Sequence, residues 1–162
     1  MPTSAATAHL ATPLLGLSTG MRSFTPLAAV CWFAYLDHLP VQNTWASWTA
    51  HPAAVGLSTA AALGEYIGDK LPNTPNRTAP LGLIGRLTLG GLVGAIVATA
   101  LRRPVLGGLA LGALGAVVGT YGGFSLRRSL THGSGLPDLP VALAGDVTSA
   151  TIAIRSLQRL TA

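Results

Sequence analysis

Charge is scarce in this sequence: ten basic and five acidic residues make 9% of its 162 positions charged, against 49% hydrophobic. A soluble domain of that length needs many more ionised side chains to face water, so a soluble globule is disfavoured. The same apolar content excludes a disordered chain. Cysteine is almost missing. Cys31 stands alone, which excludes an intrachain disulfide and any cysteine-pair redox or zinc site. No Walker loop and no His-Glu-x-x-His string occurs, so nothing in the sequence asks for a nucleotide, a metal or another cofactor. No Lys or Arg precedes Arg22, so the N-terminus lacks the basic start of a secretory signal and reads as mature structure.

What is present is glycine, 20 residues threaded through long apolar runs, with a mean hydropathy of +0.52. Glycine lets helices approach closely where lipid removes the hydrophobic drive to associate. The expected fold class is therefore all-α: one polytopic transmembrane helix bundle over residues 1–162. The net charge of +5 and a pI near 10.4 would suggest nucleic acid in a soluble protein. Here the basic residues are dispersed over segment ends, which fits anionic lipid, so the expected partner is the bilayer and not nucleic acid.

Five segments are expected to span. Two are clear, 80–101 with Arg86 as its one charge and 104–126 with none; at about 1.5 Å per residue each crosses roughly 30 Å of hydrocarbon. Arg102-Arg103-Pro104 joins them as a tight antiparallel hairpin. Segment 10–36 contains Pro13, Gly16, Gly20, Arg22 and Pro26, and reads as a broken first helix, two half-helices meeting at an unwound centre. Segment 52–71 is apolar until Glu65, Asp69 and Lys70, before Pro72 stops it. Segment 139–160 carries Asp146, Arg155 and Arg159 and needs partners for them, because a central charge costs about 2.5 to 3.5 kcal/mol on an insertion scale. Between the first two segments, Trp45 and Trp48 place residues 37–51 along the headgroup layer. Basic residues divide almost evenly between the two sides, so orientation stays open.

Two patterns carry the functional reading. Gly90 and Gly94 lead to Ala98, Gly108 and Gly112 lead to Ala116, and Gly115, Gly119 and Gly123 form a further row, all at four-residue spacing. Such rows are helix-packing grooves. The second pattern is a set of ionisable groups at membrane depth. Glu65 and Asp69 share a helix face four residues apart and repel unless a cation or proton lies between them. Arg22 and Arg86 are their candidate partners, giving an expected ion-binding cluster of Arg22, Glu65, Asp69 and Arg86, with Asp146 as a further candidate. Lys70, Arg77, Arg127 and Arg128 are candidate headgroup contacts. Gly16-Leu17-Ser18-Thr19-Gly20 satisfies the G-x-S-x-G nucleophile elbow, but neither flank looks like the strand that motif requires. None of His9, His38, His51 and His132 has triad or metal-ligand spacing.

The strings Gly16-Leu-Ser-Thr-Gly20-Met-Arg22-Ser23-Phe24, Gly64-Glu65-Tyr-Ile-Gly68-Asp69-Lys70-Leu71-Pro72 with Pro75 and Arg77, and Ala144-Gly-Asp146-Val147 resemble the bacterial membrane proteins grouped as domain of unknown function 4126. The resemblance covers most of the chain, and the acidic-Lys-Leu-Pro element is its most specific part. Where that family often shows paired acids before the last helix, this chain has Gly145-Asp146. The resemblance implies a multi-pass protein of the bacterial inner membrane and supplies no activity.

Gly16 to Arg22 faintly echoes Gly119 to Arg127, and with five alternating segments a true duplication would be an inverted repeat. The leading functional expectation is a small transporter or channel for an ion, proton or small anion, acting at the polar cluster and forming a homo-oligomer. The alternatives are a non-catalytic scaffold whose glycine grooves receive helices of a membrane-complex partner, and a lipid-phosphate enzyme or flippase.

Overall fold

The computed structural model describes residues 5–68, 80–133 and 137–161, with side chains from Leu10 onward. Within these the chain is all-helical. The helices are α1 (Ala5–Met21), α2 (Thr25–Tyr35), a 3-10 turn (Trp45–Ala50), α3 (Pro52–Gly68), α4 (Pro80–Ala100), α5 (Val105–Arg128) with a π-helical turn (Ser129–Gly133), and α6 (Asp138–Thr161). Two helical stretches, Pro80–Ala100 and Val105–Gly133, are long and apolar enough to cross a membrane. Among the described residues, length and apolarity therefore support two spans and not the expected five or so. α3 is described over 17 residues, and α6 dilutes its apolar residues with Asp146, Arg155, Gln158 and Arg159.

Segment 10–36 does break, but it does not continue in the same direction. Pro26 cannot donate a helical hydrogen bond, and its ring would clash with the Arg22 carbonyl, so α1 ends at Met21 and α2 starts at Thr25. The direction follows from contacts with α6. Ser18 meets Ser149 and Arg22 meets Asp146, so α1 and α6 are antiparallel. One groove is walled by Thr25, Ala29 and Trp32 on one side and Ala150, Ile154 and Gln158 on the other, so α2 and α6 run parallel. α1 and α2 are thus the arms of a hairpin whose tip is Arg22 to Phe24. α2 ends in a Schellman turn, with the His38 N–H donating to the Phe33 carbonyl at 2.8 Å and Asp37 left-handed at φ 58°.

α1, α4 and α5 form the tightest part of the bundle, and glycine is the reason. A Cβ on Gly16 would collide with the Gly112 carbonyl, one on Gly94 with the Gly108 carbonyl, and one on Gly119 with the Leu17 carbonyl. Backbones therefore touch directly, as a stripe of small residues allows. The pairs Gly16 with Gly112 and Gly20 with Ala116 make α1 parallel to α5, whereas Gly90 with Gly112 and Gly94 with Gly108 make α4 antiparallel to both. The inverted repeat expected between the first and fourth segments is corrected by this register. The reversal at the hairpin tip adds one change of direction, so α1 and α5 point the same way.

The apolar core lies beside this trio, where Leu15 of α1, Leu27 and Val30 of α2, Ile96 and Val97 of α4 and Leu157 of α6 are all buried. The α4–α5 turn is the expected tight hairpin, with Arg102 left-handed at φ 53° and the Arg103 N–H donating to the Ala98 carbonyl at 2.8 Å. Trp45 and Trp48 are 49% and 41% exposed, and the Trp45 ring N–H donates to Thr99 Oγ1 at 2.8 Å. The tryptophan segment is thereby fastened to the last turn of α4.

Candidate functional site

The hairpin tip gathers the polar residues. Breaking a helix strips backbone N–H groups of their carbonyl partners, and a buried tip must supply new ones. Glu65 of α3 does this with both oxygens: Oε1 accepts the Ser23 N–H at 2.8 Å and Oε2 accepts the Phe24 N–H at 3.0 Å. The carboxylate sits at the N-terminus of α2, where the helix dipole also favours negative charge. One residue along each segment, the Tyr66 and Thr25 hydroxyls lie 2.7 Å apart.

Arg22 is the largest fully buried side chain, 2% exposed. Its Nε donates to Asp146 Oδ1 at 2.6 Å, and Nη2 contacts the same oxygen. Tyr66 covers the guanidinium, with Cζ 5.3 Å from the ring centroid, within cation–π range. One turn deeper, Ser18 and Ser149 are fully buried and exchange side-chain to backbone hydrogen bonds across the α1–α6 seam. The seam is therefore polar where the α1–α5 and α4–α5 seams are mostly close backbone contact, with Thr120 donating to the Gly20 carbonyl across the α1–α5 seam.

A cleft of about 120 Å³ opens onto the pair between the end of α1, the last turns of α5 and the first turns of α6. Arg22 and Asp146 lie at its floor, Arg127 at its rim, and Met21, Leu126 and Val141 among its apolar walls. Arg127 is held outward by Asp138, with Nε and Nη2 donating at 2.8 and 2.6 Å to the two carboxylate oxygens.

The expected cluster is thus assembled in part and with different pairing. Arg22, Glu65 and Asp146 come together, but Arg22 pairs with Asp146 and Glu65 binds backbone instead of an arginine. The reason is geometric: the reversal at the tip turns Arg22 toward α6 and presents two bare N–H groups to α3. Arg86 is buried on α4, one turn before Gly90, and the register carries it to the level of Ala116 and Gly20. Asp69, Lys70 and Arg77 lie outside the described residues. Arg128 is exposed at the end of α5.

Gly90, Gly94, Gly108, Gly112, Gly115 and Gly119 all face helices of this same chain, while a Cβ on Gly123 would meet only the Met21 side chain at 3.4 Å. Ser18 of the G-x-S-x-G string lies inside α1 and is fully buried against Ser149, which is no setting for a strained, presented nucleophile. Tyr66 and Ser149 were not among the candidates from sequence, and Ser18 entered only through the G-x-S-x-G string. A signal for the serines was there: Ser18 and Arg22 are four apart, Asp146 and Ser149 three apart, each pair on one helical face.

A family model described as domain of unknown function (DUF4126) matches residues 10–158. No curated protein and no solved structure matches the chain. The family match spans nearly the whole sequence, and the chain belongs to that family.

Proposed function

We propose that this member of the family is a multi-pass protein of the bacterial inner membrane and a small transporter, moving an ion, proton or small anion through the site at the hairpin tip. The observation that carries this reading is a charged pair buried at the tip of a reversing helix hairpin, with a cleft open to it from one end of the bundle. Irregular backbone at membrane depth is tolerated where protein buries it or where it lines a cavity, and the tip meets both conditions.

Depth follows from register. Thr12 lines a pocket with Leu101 and Pro104 at the α4–α5 turn, and α1 ends at Met21, about 15 Å further in at roughly 1.5 Å per residue. α2, with 11 residues, returns about 16 Å. Against a hydrocarbon core of roughly 30 Å, these lengths give a re-entrant hairpin with its tip near the midplane. α4, α5 and α6 are then crossing helices, α3 runs from the side of the α4–α5 turn to the tip at Glu65, and the start of α1 and the end of α6 lie on the side of that turn. Discontinuous helices meeting at mid-depth are where membrane transporters hold ions.

The test is flux. Purified protein in liposomes is expected to pass protons, alkali cations or small anions above protein-free vesicles, and Glu65→Gln is expected to slow the passage. No flux of any of these from well-folded protein overturns the reading.

A scaffold or oligomer reading is favoured by a different surface. The glycine rows first assigned to partner helices are filled within the chain, but Gly56 and Gly64 of α3 have nothing within 4 Å and flank exposed Leu57, Leu63 and Ile67. That face suits another helix. Co-purification with a defined partner, lost in Gly64→Leu and kept in Glu65→Gln, would support it.

A further inference from the structure

We infer that the Arg22–Asp146 pair is an exchange site for a small monovalent oxyanion, which takes the place of the Asp146 carboxylate on Arg22 as Asp146 accepts a proton. The inference rests on the transporter reading and names its substrate class. It would make the protein an electroneutral proton–anion symporter.

The cation and its counter-ion are mounted on different parts of the structure. Arg22 is fixed by groups other than Asp146: it is 2% exposed, the Tyr66 ring covers it at 5.3 Å, Tyr66 is in turn bonded to Thr25, and the next two backbone N–H groups are clamped by Glu65. Asp146 is on α6, which packs on α1 and α2, but its side chain lines the cleft and has space there to turn by rotation about its own bonds. The carboxylate can therefore leave while the guanidinium stays. A guanidinium fork matches planar oxyanions in shape, and the carboxylate it already holds is one.

The cleft defines what can replace it. Its charged lining is the Arg22–Asp146 pair with Arg127, whose charge Asp138 already balances, so Arg22 is the cation an anion meets once Asp146 turns away. About 120 Å³ accommodates several waters or one anion of a few heavy atoms, and the remaining walls are largely apolar.

Charge neutrality dictates the proton. An anion placed beside ionised Asp146 would put two negative charges on one buried cation, at the cost that buried unpaired charge carries. Proton uptake removes the conflict: the ionised pair plus one proton and one anion becomes the Arg22–anion pair plus neutral Asp146, and the net charge of the site is unchanged. Release on the other side restores the original pair. The ionisable groups around Asp146 are Arg22 on α1, Arg127 on α5 with its partner Asp138 on α6, Tyr66 and Glu65 of α3 behind Arg22, and Arg86 of α4 at the level of the tip.

The experiment uses nitrate, a planar monovalent anion that crosses lipid poorly as its acid. Wild-type proteoliposomes with the voltage clamped by potassium and valinomycin receive an inward nitrate gradient, with an internal pH dye and a nitrate assay. The expected result is internal acidification, one proton per nitrate entering, with none for sulfate. In Asp146→Asn the protons carried per nitrate are expected to fall at least ~10-fold. A second measurement needs no variant: adding nitrate to unbuffered wild-type protein in detergent near pH 6 should consume protons up to one per chain. Nitrate entry without acidification overturns the exchange and leaves transport standing, as does flux of another ion with no response to nitrate. Absence of every flux overturns the transporter reading and the exchange together.

Discussion

Arg22 and Asp146, 124 positions apart in sequence, meet through a 2.6 Å hydrogen bond from Nε to Oδ1 in a part of the bundle where both side chains are nearly sealed from solvent. Removing one partner of such a pair strands the other charge, at about 3–5 kcal/mol. Asp146→Ala is therefore expected to lower stability in detergent by that amount. The double variant Arg22→Met with Asp146→Leu is expected to recover most of the loss, because an apolar pair carries no desolvation cost. Thermal unfolding of the three proteins checks it, and a double variant no more stable than Asp146→Ala contradicts it.

Glu65 holds the start of α2 rather than an ion pair. Glu65→Ala removes the acceptor from two N–H groups at once, each worth about 1–3 kcal/mol when left unsatisfied. Hydrogen exchange at Ser23 and Phe24 is expected to accelerate strongly in Glu65→Ala and less in Glu65→Gln, whose amide oxygen still accepts one bond. Amide exchange by mass spectrometry over residues 20–30 reads the effect. Unchanged protection in Glu65→Ala would remove the cap from the account.

The glycines divide into two kinds, and substitution separates them. A Cβ on Gly112 would strike the Gly90 carbonyl, whereas one on Gly64 meets nothing within 4 Å. Gly112→Ala is expected to push α4 from α5 and cost about 1–3 kcal/mol, as overpacking does. Gly64→Ala in the same assay should be neutral or gain up to about 1 kcal/mol from helix propensity. Equal responses at the two positions would mean that the α4–α5 contact is looser than its geometry.

These three tests also mark what the sequence could disclose. Glycine spacing identified the α4 and α5 contact rows because a helix places every fourth residue on one face, a local rule. Pro26 and Gly20 located the break for the same reason. The direction of the chain after the break was not legible: a kink and a reversal differ by a few dihedral angles at Arg22 to Phe24, and only the packing of α2 against α6 selects between them. The pairing error came from that source. With residues 10–36 read as a broken helix that still crosses in one direction, Arg22 was a candidate partner for Glu65 and Asp69. With the chain folded back, Asp146 on α6 is the partner, and Glu65 serves the backbone that the turn exposes.

Membrane sidedness distinguishes those two paths directly. If residues 10–36 ran straight across, Leu10 and Asn43 would face opposite sides; in the re-entrant hairpin both lie on the side of the α4–α5 turn. Leu10, Asn43, Arg103 and His132 are all exposed, so each accepts a reporter without disturbing the core. The one native cysteine is buried and is removed by Cys31→Ala. In that background, Leu10→Cys, Asn43→Cys and Arg103→Cys are expected to react with an impermeant maleimide from one face of sealed vesicles, and His132→Cys from the other. Labelling of Leu10→Cys from the His132 face would restore the straight crossing. It would also move the Arg22 tip away from the midplane, because a re-entrant turn reaches that depth only when both of its arms start from the same side.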